Sequence, residues 1–438
     1  MTTMIRPGDA GYDEARTTWA LVADLRPAAI AFPTSVAEAA EVVRLATTEG
    51  MRVAPLSTGH NAYPLGDLSG SVLVRMSSMP AISVAPEDRR ARVEAGALWG
   101  PIAERASAHG LAAPHGSSPD AGVVGYTLGG GINWYGRSRG LAVNSVTAVE
   151  LITADGSLVR ADAEHEADLF WALRGGGAAN FGLVTSLEFA LFELKSVYAG
   201  MMLWDQRDAH RVLTRFQEVV SDAPEEMTLS YRHMNFPLIP EVPEPFRGRN
   251  LVIIDGAVLG SSPEENVRPF HELKPEVDTF AEVPPSAVVR IHMDPEHPTP
   301  GWGRSALLDD FPAAAVDRLI EVAGPGSGND LALAVEVRHL GGAMARPVAG
   351  GGALSAIDGQ FQLVSGGMMI GGFAEQTLRH TQRVIDGLGE WSRGREYLNF
   401  QEERVDPGRA FGSGVLDRLR AVRDQVDPGR LFQANHEL

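Results

Sequence analysis

The chain has 438 residues, 44% apolar and 21% charged, which is more material than one hydrophobic core absorbs, so two domains are expected. Its formal net charge of -18 argues against nucleic acid or an anionic membrane surface as a partner. Cysteine is absent, which excludes disulfides, thiolate nucleophiles, Cys-ligated zinc and iron–sulfur clusters. All of the 38 basic residues are arginine except Lys195 and Lys274, a bias of base composition rather than a functional signal. No apolar run reaches the length of a membrane span and no secretion signal is visible at the start, so a cytoplasmic location is expected.

Residues 1–25 read as a helical or irregular lead-in. Ser35 then caps a helix: Glu38 completes a capping box, Val36, Ala39, Ala40, Val43 and Ala46 repeat at helical spacing, and Gly50 ends it. A strand over Met51–Leu56 delivers a tight loop, Ser57-Thr58-Gly59-His60-Asn61, which presents one imidazole. Gly59 lets the backbone there approach a flat or charged group. Strands over Val72–Met76 and Arg90–Ala95 and a helix over Pro101–Ala108 make a mixed α/β unit. The block 115–133 is too rich in glycine for a normal helix, at about 1 kcal/mol each, and suits a backbone wrapped against a ligand. Ser145–Thr153 and Leu158–Ala161 read as a hairpin across Asp155-Gly156, a type I′ signal. A short helix, Asp168–Leu173, leads to Gly175-Gly176-Gly177 and a strongly β run, Leu183–Phe192.

From about residue 196 the texture changes. Strands over Tyr198–Leu203, Met227–Met234, Asn250–Val258, Leu331–Leu340 and Phe361–Ile370 alternate with helices over Asp208–Val220, Pro263–Glu272, Pro312–Val322 and Glu375–Leu388. Pro- and Gly-rich loops are expected at 237–248, 284–303 and 341–352. The pattern is α+β with one large antiparallel sheet. The last forty residues differ again, with Tyr397-Leu398-Asn399-Phe400, a helix over Gly414–Val426, and Asp427-Pro428-Gly429-Arg430-Leu431-Phe432.

Glycine-rich loops invite nucleotide readings. A P-loop is excluded because no lysine follows these glycines, and Gly175-Gly176-Gly177-Ala178-Ala179-Asn180 breaks the dinucleotide Gly-x-Gly-x-x-Gly rule and follows a helix. The order of motifs is more specific than any one of them. Pro33 stands before a helix, followed by Gly59-His60, Ser118-Pro119-x-x-Gly122-x-x-Gly125 and Leu128-Gly129-Gly130-Gly131. Leu173-Arg174-Gly175-Gly176-Gly177-x-x-Asn180-Phe181-Gly182 and Asp427-Pro428-x-x-Leu431-Phe432 complete the series. Together they resemble the FAD-linked oxidases of the vanillyl-alcohol-oxidase type with a PCMH-type FAD domain, in the berberine-bridge-enzyme-like group, over essentially the whole chain.

The resemblance implies a two-part FAD-binding domain, 1–195 closed by a returning segment 396–438, and a substrate domain, 196–395, with a large antiparallel sheet covered by helices. It puts His60 forward as a covalent anchor for the flavin, with amides of Leu56, Ser57, Thr58, Gly59, His60 and Asn61 around the pyrophosphate. Ser118, Pro119, Gly122, Val123, Gly125, Gly129 and Gly130 would line the flavin. Asn180, Phe181, Gly182 and Val184 would hold adenine, ribose or the ring edge, and Asn399 and Phe400 would approach from the tail. Relatives with two covalent bonds carry a cysteine where this chain has Ser118, so a single bond through His60 is expected. Thr58 replaces a glycine common in relatives and needs an ordinary φ.

Some relatives place a catalytic tyrosine after the tail asparagine; here that residue is Phe400, which cannot take a proton. Tyr126 and Tyr397 are the candidate bases. On the substrate sheet, alternation puts Glu336 and Arg338 on one face and Val335, Val337 and His339 on the other, while Gln360 and Gln362 share a face of the next strand. These four polar side chains would orient an oxygenated substrate, the bland alternative being an ion pair on a solvated face. His233, His292 and His297 lack metal-ligand spacing, and no metal is expected. The implied activity is hydride transfer from a small alcohol, sugar or secondary-metabolite substrate to flavin N5, with reoxidation by O2 to hydrogen peroxide. A dehydrogenase or oxygenase of the same fold, or a flavin- or metabolite-binding protein without turnover, stays open.

Overall fold

The computed structural model describes residues 3–238, 240, 242, 244–328 and 334–438. Three strands, Ala29–Ala31, Ser71–Arg75 and Arg52–Leu56, pair in parallel, with Met4–Ile5 antiparallel on the edge. Beside them lies an antiparallel sheet ordered Ile82–Ala85, Arg90–Glu94, Leu183–Ala190, Val146–Ile152 and Leu158–Asp162. The helix Val36–Thr48 touches both sheets through Ala39, Val42, Val43 and Ala46, all fully buried, and this filling of small residues lets the two layers close. Ser35 caps it as expected: its side chain accepts from the Glu38 amide, while Glu38 accepts from Thr34.

The tail returns to this unit. Val53 donates to Leu431 O and accepts from Gln433 N, both at 2.8 Å, so the C-terminal stretch lies along the strand that feeds the His60 loop. Phe411, Leu416, Leu419, Val422 and Phe432 join the same hydrophobic core.

The largest sheet is antiparallel throughout, in the order Val277–Asp278, Val197–Asp205, Asn250–Val258, Met227–Asn235, Ala334–His339, Phe361–Met368 and Gly301–Leu308, with Ala281–Val283 also pairing on Val197–Asp205. One face, with Trp204, Ile254, Tyr231, Val337 and Leu363, is apolar and covered by the helices Ala209–Ser221, Pro263–His271, Ala313–Ala323 and Ala374–Gly387. The opposite face meets the first unit.

Several expectations are corrected. Val123–Leu128 is a short helix inside the glycine-dense block. Gly122 and Gly129 fall at its ends, so only Gly125 carries the interior glycine cost, and burial of Val123, Thr127 and Leu128 offsets it. Gly301–Leu308 is a strand that overlaps the expected loop 284–303. Its glycines obscure the alternation, and Gly303 is bare because a Cβ there would lie 2.8 Å from Ser365 O. The hairpin turn is not type I′: Gly156 has φ of +80° but Asp155 keeps a negative φ, and Asp155 bonds Thr153 and Ser157 instead. Residues 331–333, the start of an expected strand, lie outside the described residues; the strand is seen from Ala334.

Candidate active site

The loop after Arg52–Leu56 turns at Gly59, where φ is +85° and a Cβ would meet Thr18 Cβ at 2.7 Å. Thr58 keeps an ordinary φ, as required. The backbone amides of Ser57, Thr58, Gly59, His60 and Asn61 donate to no protein acceptor among the described residues. Consecutive unfilled donors on one turn form a nest for an anion. They face an open cleft of about 280 Å³, lined further by Gly122, Gly125, Gly129, Gly175–Asn180, Val184 and, from the tail, Glu396–Asn399.

His60 is held on three sides. Trp19 stacks on its ring at 4.1 Å, Thr58 Oγ1 lies 2.8 Å from Nδ1, and Nε2, which lacks a hydrogen bond, faces Asp120 Oδ1 at 3.4 Å. A glycine in place of Thr58 could not supply the second contact. Asp120 also accepts from Trp19 Nε1 at 2.6 Å and Ser118 Oγ at 2.8 Å. Burial pushes its carboxyl up, but the nearby His60 ring and the bonds from Ser118 and Trp19 win and hold it below the usual range.

Other predicted cofactor residues serve the walls. Pro119 O accepts from Gly100 N, Val123 is buried in the core, and Gly182 is bare because a Cβ would lie 2.7 Å from Ile152 O. Gly130 makes room for the Tyr397 ring, and Phe400 packs on that ring at 5.9 Å. Asn61 Nδ2 donates to Leu398 O and Gln401 O, and Asn180 Nδ2 donates to His436 O, so both asparagines tie the tail down. Phe181 is a fully buried core ring. Asn399 Nδ2 donates to Tyr126 O at 2.9 Å, and Gly129 must be glycine because a Cβ would sit 1.9 Å from Asn399 Oδ1.

The two tyrosines differ. Tyr126 gives its proton to Ile132 O at 2.6 Å, and burial raises it well above the ordinary value. Tyr397 Oη accepts from Gly131 N at 2.7 Å and Asn399 Nδ2 at 3.1 Å. Burial pushes Tyr397 up, and those donors with the Arg338 charge pull it back to about 12. Residues Leu398–Phe400 form a 3-10 turn rather than a strand, yet Tyr397 and Asn399 do meet.

On the sheet, Glu336 and Arg338 are not on a solvated face: both are buried, with Arg338 Nε donating to Glu336 Oε1 at 2.7 Å. Sequence reasoning missed most of their company. Across the sheet Asp255 accepts from Ser230 at 2.6 Å and Arg232 at 2.5 Å, and His292 comes in from a loop with Nδ1 2.8 Å from Asp255 Oδ2 and Nε2 3.6 Å from Glu336 Oε2. Burial and Arg232 disfavour charge on His292, but Asp255, Asp294 and Glu336 overcome them and hold its pKa at about 9. Burial likewise opposes the Glu336 anion, and Arg338 and His292 keep it well below the carboxylate range. The available signal was a polar residue at alternate positions in otherwise apolar strands, Ser230, Arg232 and Asp255. Gln362 sits opposite Arg338 and is fully buried, whereas Gln360 precedes the strand and is exposed, its amide packed over Gly341. His233 is a buried strand residue, and no group of described residues has a metal-binding arrangement.

The nest, the apolar cleft walls and the His60 ring with its unfilled nitrogen fit FAD: the amides would take the pyrophosphate, and the walls beside Gly125 and Gly129 the ring system. The "FAD binding domain" family matches residues 27–162. (R)-6-hydroxynicotine oxidase of Paenarthrobacter nicotinovorans is 33% identical over 202 residues, which is 46% of this chain and 44% of that protein, so the match spans less than half of the curated relative. Among solved structures, Physcomitrella patens BBE-like 1 superposes with a TM-score of 0.86 at 22% identity, covering 100% of this chain and 96% of that one. Glucooligosaccharide oxidase from Acremonium strictum, whose flavin is described as 6-S-cysteinyl, 8α-N1-histidyl FAD, gives 0.83 at 20% identity, covering 100% and 96%. Residues 27–162 thus match an FAD-binding domain, and the whole chain shares the fold of the berberine-bridge-enzyme-like structure.

Proposed function

We propose that the protein is an FAD-dependent oxidase of a small alcohol, sugar or secondary-metabolite substrate, with 1–195 and 396–438 holding the cofactor and 196–395 the substrate. The observation that carries this reading is one continuous site: a cleft with five unfilled amides and His60 at one end, and Tyr397 beside the buried polar sheet face at the other. Bound FAD would accept a hydride at N5 and be reoxidised by O2, yielding hydrogen peroxide. Tyr397 rather than Tyr126 is the proton acceptor in this reading, because two donors and the Arg338 charge offset part of the burial that opposes its phenolate, whereas Tyr126 is committed to Ile132. Arg338 and Gln362 orient the substrate.

His60 is the covalent tether. Thr58, Trp19 and Asp120 hold the imidazole in place, and without cysteine a second bond is unavailable. Denaturing the purified yellow protein tests it: colour should stay with the precipitated wild type and leave His60→Ala, and release of all flavin from the wild type would refute the bond. For the activity, anaerobic titration with alcohols, oligosaccharides, cyclic amines and hydroxy acids should bleach the flavin with one class, and air should restore it in seconds with peroxide. Reoxidation taking minutes would favour a dehydrogenase. A flavin bleached by dithionite but by no compound of the panel would favour a binding protein.

A further inference from the structure

The buried face beside the cleft carries more hydrogen-bond donors than the protein satisfies. Arg338 uses Nε for Glu336, and its terminal nitrogens have no partner among the described residues. Its Cζ lies over the Trp134 ring at 5.2 Å and over the Phe400 ring at 5.6 Å, neither of which takes an N–H in a hydrogen bond. Trp134 is buried with Nε1 unpartnered, and so is Arg232 Nε. Gln362, directly opposite Arg338 in the register, is fully buried with neither amide atom bonded. Opposed residues in antiparallel strands have Cβ atoms about 4.5–5.5 Å apart, so one ligand group reaches both.

Leaving such groups unfilled inside a protein is costly, because their desolvation is not repaid. Four residues that do so together, three of them able only to donate, mark a place for an acceptor. The buried charges agree. Arg232, Arg338 and protonated His292 face Asp255 and Glu336, one positive charge in excess, while Asp294, partly exposed and bonded by Ser117, stands at the rim 3.9 Å from His292. The Arg338 charge also reaches the hydroxyls of Tyr126 and Tyr397, so this face adjoins the cofactor cleft.

We infer that Arg338, Gln362 and Trp134 form a carboxylate-binding subsite, and that the substrate oxidised here is an organic acid whose carboxylate is held by the Arg338 N–H edge. The planar fork matches a carboxylate in two parallel bonds, and the Gln362 and Trp134 N–H groups take its remaining lone pairs. The ring walls select an acid with a flat or apolar body. Arg338 and Gln362 thus set specificity in the site proposed above, and the inference rests on that reading.

Benzoate and benzamide, alike in shape and different in charge, test it by titration into the oxidised holoprotein, read from the flavin absorbance and by calorimetry. Benzoate should bind about tenfold more tightly than benzamide. Arg338→Gln should abolish the preference, and Arg338→Lys should keep only part of it, because a point charge lacks the fork. Trp134→Phe and Gln362→Leu, which spare the charges, should each weaken benzoate about threefold. Equal binding of the two probes, no benzoate binding, or an unchanged preference in Arg338→Gln overturns the inference. If Arg338→Gln does not fold, an unchanged benzoate affinity in both Trp134→Phe and Gln362→Leu overturns it instead. Failure here leaves the oxidase reading standing when neutral substrates bleach the flavin, and a protein bleached by no substrate loses that reading even if benzoate is preferred.

Discussion

The two ends of the site are built from different materials. The cofactor end is backbone: a run of amides on one loop, with glycines wherever another wall comes close. The substrate end is side chains: seven buried polar groups delivered by four strands and one loop, from Ser230 to Gln362. A backbone nest needs only the right local conformation, and its donors carry partial charges that solvent or ligand can satisfy. A buried charge cluster holds only while every partner is present. The first should therefore tolerate loss of single side chains better than the second.

The largest effect should come from Asp255→Ala, which leaves Arg232 and His292 buried with one carboxylate fewer. It is expected to lower stability by about 3–5 kcal/mol in urea unfolding, and a loss similar to that of a surface mutation would dissolve the contrast between the two ends. Next is pH. The folded pKa of His292 is raised to about 9, above its ordinary value, so its contribution is fully present at low pH and is lost as pH climbs through that value. Wild type should lose up to about 3 kcal/mol more than His292→Gln between pH 6 and 10. Parallel curves for the two proteins would show that the imidazole is not held charged.

Gly129→Ala probes the other end, since the added Cβ collides with Asn399. A stability cost of about 1–3 kcal/mol is expected, together with fewer flavins per chain, measured from absorbance at full denaturation. Unchanged flavin content would mean that the tail asparagine is not part of the cleft wall. The smallest effect belongs to Ser35→Ala, a purely local cap on the helix Val36–Thr48, at about 1 kcal/mol with the flavin retained. Flavin loss in that variant would show the nest to be less independent of its surroundings than its backbone construction implies.

What could be read directly was what depends on neighbours in the chain. The capping box at Ser35, the turn at Gly59, the exact span Asn250–Val258 and the alternation at Glu336 and Arg338 each follow from local spacing. The motif order was enough to point to the cofactor. Val123–Leu128 and Gly301–Leu308 were missed because glycine suppresses local propensity while burial and pairing, which are tertiary, pay it back. The same holds for the substrate face. Asp255, His292 and Glu336 stand 37 or more residues apart in sequence, and nothing in their local windows shows that they meet. Only the register of the sheet decides that Ser230 faces Arg338 and Arg338 faces Gln362. Local rules thus determined the loop that would hold the flavin, whereas the charges that would choose a substrate exist as a group only after distant strands align, because electrostatic contacts depend on distance in space and not on distance along the chain.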